Sequence, residues 1–142
     1  MKLKGADSIS IGIDVVDLER FEEILKKRPR FAWRYFHSEE LEQLKSKNNF
    51  ARHLAGRFAA KEAVVKAMGT GFSGFSFKDI IILNDEKGRP YVKLTGKALE
   101  LCRSLRIEEF ALSISFSRNT AVASAVAIMR KDRLADDGKK SR

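Results

Sequence analysis

The 142-residue chain has one cysteine, Cys102, and two histidines, His37 and His53. A single thiol forms no internal disulfide, and no Cys/His metal cluster can be assembled around it. No apolar run is long enough to cross a bilayer. The opening residues, MKLKGADSISIG, lack the apolar stretch of a signal peptide, so a cytoplasmic location is expected. Internal repeats and linkers are also missing. Acidic residues are outnumbered 19 to 28, for a net charge of +9. The last twelve residues, 131–142, hold five basic and three acidic side chains, so +2 of that charge lies in the tail and +7 in the body. A basic body attracts acidic partners over long range, and nucleic acid, an anionic membrane, a phosphorylated cofactor and an acidic protein all qualify.

What is present suits one domain. Hydrophobic residues make up 44%, and ten Phe are expected to fill much of the core. SISIGIDV predicts a strand over Ile9 to Ile13 that ends at Asp14. Leu18, Phe21 and Leu25 at helical spacing predict a helix that Pro29 stops. A second helical segment begins near Phe31, and a third follows Ser38 as N-cap, with Glu39 and Glu40 in its first turn. A long helix over residues 50–68 ends at GTG. DIIILNDEKGRPYVKL reads as a hairpin turning at Gly88, GKALELCRSL as an amphipathic helix, and EFALSISFS with TAVASAVAIM as a second hairpin. The order β-α-α-α-β-β-α-β-β predicts an α+β domain over residues 1–130 with a mainly antiparallel sheet, followed by a polar, disordered tail over 131–142.

The long helix raises a question of chemistry. Leu54, Phe58, Val65 and Met68 form an apolar stripe at 100° per residue. Glu62 borders it, Lys66 lies one turn further on, and Lys61 points into it. An exposed Glu–Lys pair at i,i+4 is common and contributes only about 0.2–0.5 kcal/mol. Lys61 fits that reading poorly, because a lysine on an apolar stripe must snorkel or meet a partner. After the helix comes GTGFSG, whose glycines let backbone N–H groups approach an anion. It is not a Walker A loop, since the lysine precedes the glycines. Asp14 alone would be an ordinary turn residue. Together, two carboxylates from different elements can hold Mg²⁺ with phosphate oxygens and waters, and two lysines can neutralise the same phosphates. That is equipment for attack at phosphorus.

GIDVVDLERF and LAGRFAAKEAVVKAMGTG resemble the two signature motifs of holo-acyl-carrier-protein synthases, the short single-domain group of 4'-phosphopantetheinyl transferases. The likeness extends through RYFHSEELEQL and SFKDIIILNDEKGRPYV and covers most of the chain up to Met129. It implies Mg²⁺-dependent transfer of the phosphopantetheine arm of coenzyme A to a serine of an apo acyl carrier protein, as in fatty acid biosynthesis, with adenosine 3',5'-bisphosphate released. By position, Asp14 and Glu62 would ligate Mg²⁺. Lys66 would contact the phosphates and stabilise the leaving group, and Glu62 could orient the base. Arg57, Lys61, Gly69, Thr70 and Gly71 would line the nucleotide site, while Gly88, Arg89 and Pro90 would reach coenzyme A from a neighbouring subunit of a homotrimer. Arg20, with Lys27 and Arg28, would grip the acidic carrier protein. Val16 stands where larger relatives have a second acidic residue, as fits the small trimeric group. Phe116 stands where many members have a histidine, so that histidine's role does not carry over. His37 and His53 read as surface or helix-packing residues.

Two other classes compete. A basic nucleic-acid-binding domain would need exposed aromatics among its cations or a known motif, and would leave Asp14 and Glu62 unexplained. A coenzyme A-binding scaffold without activity is permitted by Phe116 but not favoured by an intact Asp14, Glu62 and Lys66.

Overall fold

A computed structural model of the chain describes residues 8–71 and 74–130; the tail expected over 131–142 lies outside them. The elements run β1 (Ser8–Asp17), α1 (Leu18–Lys27), α2 (Phe31–Tyr35), α3 (Ser38–Leu44), α4 (Phe50–Met68), a 3₁₀ turn (Phe77–Asp79), β2 (Ile80–Asn84), β3 (Pro90–Leu94), α5 (Gly96–Ser104), β4 (Ile107–Phe116) and β5 (Thr120–Met129). The expected α+β order is found, and every strand pairing is antiparallel: β1-β5-β4 in one sheet, β2-β3 in the other.

Two boundaries differ from expectation for physical reasons. β1 continues past Asp14 because it pairs with β5 over its whole length, from Ser8 opposite Met129 to Asp17 opposite Thr120. Asp14 therefore sits inside a strand, opposite Ala123. Asp17 then caps α1, its carboxylate accepting from the Arg20 N–H at 2.9 Å. At α3 the cap is His37 rather than Ser38. His37 Nδ1 accepts from the Glu39 N–H at 3.1 Å, and Glu40 accepts from the His37 N–H at 2.9 Å, closing a capping box.

α4 lies across the three-stranded sheet on a seam of small residues. Ala121, Ala123, Ala125 and Ala127 of β5 face Ala55, Ala59, Ala60, Ala63 and Ala67 of α4, all essentially without solvent contact. Gly12 of β1 takes the approach furthest: a Cβ there would lie 2.0 Å from the Ala63 carbonyl oxygen and 2.7 Å from the Ala67 nitrogen. Both obstacles are backbone, so no rotamer change relieves them. Gly12→Ala is expected to cost about 3 kcal/mol or more, the upper end for overpacking, read as a lower urea midpoint at unchanged m. The phenylalanines gather instead among the helices. Phe21, Phe31, Tyr35, Phe36 and Phe58 interlock between α1, α2 and α4, and Phe77 joins Tyr35 and Phe58 with ring centroids 5.5 and 5.6 Å away.

The other face of the large sheet is open, and along β1 it is apolar. Alternation along β1 sends Gly12 and Asp14 toward α4 and leaves Ile9, Ile11, Ile13 and Val15 outside, with Ile11, Ile13 and Val15 each about 60% exposed.

Candidate functional site

β1 and α4 bring Asp14, Glu62 and Lys66 together. Lys66 Nζ lies 3.2 Å from Asp14 Oδ1 and donates to the Ile13 carbonyl at 2.9 Å. Lys66 is half-exposed and Asp14 mostly covered. Glu62 is half-buried, and its carboxyl is held above the usual carboxylate range, first by burial and then by the Asp14 charge, with Lys66 pulling the other way. Two carboxylates within electrostatic reach of each other, served by one ammonium, are a donor set that a hard divalent cation would fit. Among the described residues no third acidic, His or Cys side chain joins them, so such an ion would take its remaining oxygens from substrate and water.

Past Lys66 the chain leaves the helix through left-handed glycines. Gly69 caps α4 at φ 77°, donating to the Lys66 carbonyl at 3.2 Å, and Gly71 follows at φ 65°. A side chain at either would meet open space, so it is the backbone conformation that calls for glycine. Thr70 is exposed between them.

Two residues expected to line a nucleotide site lie inside the protein instead. Lys61 is fully buried, and its ammonium is taken up by Glu40 Oε1 at 2.7 Å and by the carbonyls of Phe77 at 2.8 Å and Ile80 at 2.5 Å. Burial pulls its pKa down to about 8 against the opposing pull of Glu40. Arg57, 3% exposed, donates to the Glu40 carbonyl and to Gln43 Oε1. Glu40, read from sequence as a first-turn charge, is the buried hub: its other oxygen accepts from the Ile82 N–H at 3.1 Å. Lys61 thus answers to packing between α3, α4 and β2. Nothing at Glu40 itself signalled this, since its partner is 21 residues away on another helix.

Gly88, Arg89 and Pro90 form the exposed end of the β2-β3 hairpin, where Asp85 accepts from the Lys87 and Arg89 N–H groups, both at 2.9 Å. Among the described residues no hydrogen bond or ion pair joins this turn to Asp14, Glu62 or Lys66. Arg20, Lys27 and Arg28 are exposed on α1 and its cap. Phe116 packs over Gly56, with the Arg52 guanidinium 4.7 Å from its ring centre and His53 edge-on to it at 6.2 Å. A cavity of about 560 Å³, lined by Asp17, Glu22, Arg52, Arg118 and Asn119 among others, opens at the N-terminal end of α4. The Asp14–Glu62–Lys66 group lies toward the other end of the helix, outside this cavity.

A family described as the 4'-phosphopantetheinyl transferase superfamily matches residues 10–123. A holo-[acyl-carrier-protein] synthase of Alkaliphilus metalliredigens is 49% identical over 82% of this chain and 96% of its own length. Among solved structures, that of the holo-[acyl-carrier-protein] synthase of Neisseria meningitidis has a TM-score of 0.78 at 37% identity, covering 83% of this chain and 96% of its own. The holo-(acyl-carrier-protein) synthase of Bacillus anthracis in complex with CoA (3',5'-ADP) has a TM-score of 0.70 at 36% identity, covering 84% and 96%.

Proposed function

The chain belongs to the 4'-phosphopantetheinyl transferase superfamily, and we propose that it moves the 4'-phosphopantetheine group of coenzyme A onto a serine of apo acyl carrier protein. The products are holo acyl carrier protein and adenosine 3',5'-bisphosphate. The observation that carries this reading is the meeting of Asp14, Glu62 and Lys66 from two elements, beside a glycine-rich helix exit. A nucleic-acid-binding reading leaves that group without a task.

The serine oxygen attacks the phosphorus nearer the pantetheine. A new P–O bond forms, the bond to the bridging oxygen breaks, and that oxygen leaves on adenosine 3',5'-bisphosphate. Asp14 and Glu62 would hold Mg²⁺, which when bound neutralises pyrophosphate charge. Lys66 has one N–H beyond those given to Ile13 and Asp14, and it stabilises charge on the departing phosphate. Besides holding the ion, Glu62 would orient the base, through a water that takes the serine proton. Thr70 and Gly71 offer backbone N–H groups to the phosphates, and Gly69, whose own N–H closes the helix on Lys66, turns the chain toward them. Arg20, Lys27 and Arg28 contact the acidic carrier protein. The setting is cytoplasmic fatty acid biosynthesis.

The working form is a homotrimer that covers Ile9, Ile11, Ile13 and Val15, too large an apolar row to leave wet. The site then lies between subunits, with Gly88, Arg89 and Pro90 supplied by a neighbour. Ile11→Asp with Ile13→Lys is expected to give monomers by light scattering and to lower transfer at least about tenfold through lost neighbour contacts. Monomers with undiminished activity would sink the shared site. The reaction itself is tested by intact-protein mass spectrometry with coenzyme A, Mg²⁺ and apo acyl carrier protein. A gain of one phosphopantetheine, lost with chelator, is expected; no gain across several carrier proteins would overturn the assignment.

A further inference from the structure

The corner between α1 and α2 combines two unusual features. From Lys26 to Arg34 it carries Lys26, Lys27, Arg28, Arg30 and Arg34 and no acidic residue. At Trp33 it holds the only tryptophan of the chain, 69% exposed. Its neighbours Phe31 and Tyr35 turn into the aromatic cluster, so the packing of α2 does not require Trp33. One partner touches the ring: Lys78, from the 3₁₀ turn, sits 4.0 Å from the ring centre. Among the described residues, none of Arg28, Arg30, Arg34 and Lys78 forms an ion pair.

The patch is coupled to the site. Tyr35 meets Phe77 and Phe77 meets Phe58, one turn before Glu62. Lys61, next to Glu62, holds the Phe77 carbonyl, one residue from Lys78. A partner resting on Trp33 and Lys78 therefore rests on elements packed directly against the helix turn that carries Glu62.

We infer that Trp33, with Arg30, Arg34 and Lys78, is an anchor for the acidic carrier protein, extending its docking surface from α1 onto α2 and the 3₁₀ turn. This rests on the transferase reading and adds the residue that supplies most of the contact energy. Tryptophan and arginine dominate such hot spots, tryptophan because a large flat side chain loses much surface to the partner at little entropic cost, arginine through its fixed fork of charged donors. The uncompensated cations supply long-range attraction to an acidic protein. An anionic membrane fits less well: surface-seeking helices present a broad apolar face, whereas Phe21 is buried and Trp33 stands alone among charges.

As the sole tryptophan, Trp33 reports on its own surface by fluorescence. The full chain is titrated separately with a tryptophan-free apo acyl carrier protein, with coenzyme A and with phosphatidylglycerol vesicles, and transfer is measured on the same preparation. The carrier protein is expected to shift the emission saturably, and less tightly as salt rises. Trp33→Ala is expected to raise the carrier KM at least about tenfold, with kcat and the coenzyme A KM within about twofold, and Lys78→Ala to raise the carrier KM less. An emission change with vesicles but not carrier protein overturns the inference in favour of a lipid surface. A coenzyme A KM that rises in step overturns it in favour of a nucleotide contact. Full transfer with silent emission sinks this surface alone. A saturable shift without transfer keeps the surface and sinks the transferase reading.

Discussion

Glu62→Gln is expected to lower phosphopantetheine transfer by about 10³-fold, a typical loss when general-base catalysis is disabled, while the protein unfolds no more easily. The amide keeps the size of the carboxylate, and its neutrality relieves the like-charge contact with Asp14 that helps hold the Glu62 carboxyl up. Asp14→Ala should give a comparable loss. The sign of the coupling can be read without turnover, by carboxyl-carbon NMR of Glu62 in metal-free protein. Asp14 raises the Glu62 pKa, so Asp14→Asn should bring it down; Lys66 lowers it, so Lys66→Ala should push it up. In metal-free wild type Glu62 should therefore take up its proton above the ordinary carboxylate range, and added Mg²⁺, which competes with that proton, should bring the titration down. Full activity in Glu62→Gln, or a Glu62 titration indifferent to residue 14, would remove Glu62 from the proposed chemistry.

Lys61→Met is expected to destabilise the fold by about 3–5 kcal/mol, because it strands the buried Glu40 carboxylate without its counter-charge. The carbonyls of Phe77 and Ile80 lose their donor as well. Adding Glu40→Gln, which removes the stranded charge and keeps one of the two oxygens that accept from the His37 and Ile82 N–H groups, should recover part of the loss. The double variant is then more stable than the sum of the singles by about 1–3 kcal/mol, read from chemical denaturation. Strict additivity would mean that the ion pair is not the reason Lys61 is there.

These two variants mark how far the sequence could be read. Local signals carried well: the long alanine-rich run of α4 stopped by glycine, the Asp85–Arg89 turn between β2 and β3, and the alternation of β1 and β5 each fix their own element. Glu62 and Lys66 were legible because they are one helical turn apart, and Asp14 through its motif. Lys61 and Glu62 are adjacent in sequence, carry opposite charges, and differ in fate. Which of them faces Asp14 and which faces Glu40 depends on how α3 and β2 close over α4, and spacing along the chain does not contain that. The same limit hid the end of β1. Its last residues, Val15 to Asp17, are strand because β5 runs alongside them, whatever their own preference. His37 displaced Ser38 as the α3 cap through a ring nitrogen in the right place, which hydroxyl-based capping preferences do not anticipate.

The alanine seam between β5 and α4 also governs how the site behaves when warmed. Alanine has no side-chain torsion to excite and glycine has no side chain at all, so the contact of α4 with β5 and with Gly12 of β1 stores almost no rotational freedom. The spacing of the backbones that carry the two carboxylates is set at Gly12, where β1 meets the Ala63–Ala67 turn of α4. Heat has little there to loosen by degrees: the distance holds until β1 and α4 separate, and the catalytic geometry should vanish in the same transition as the fold.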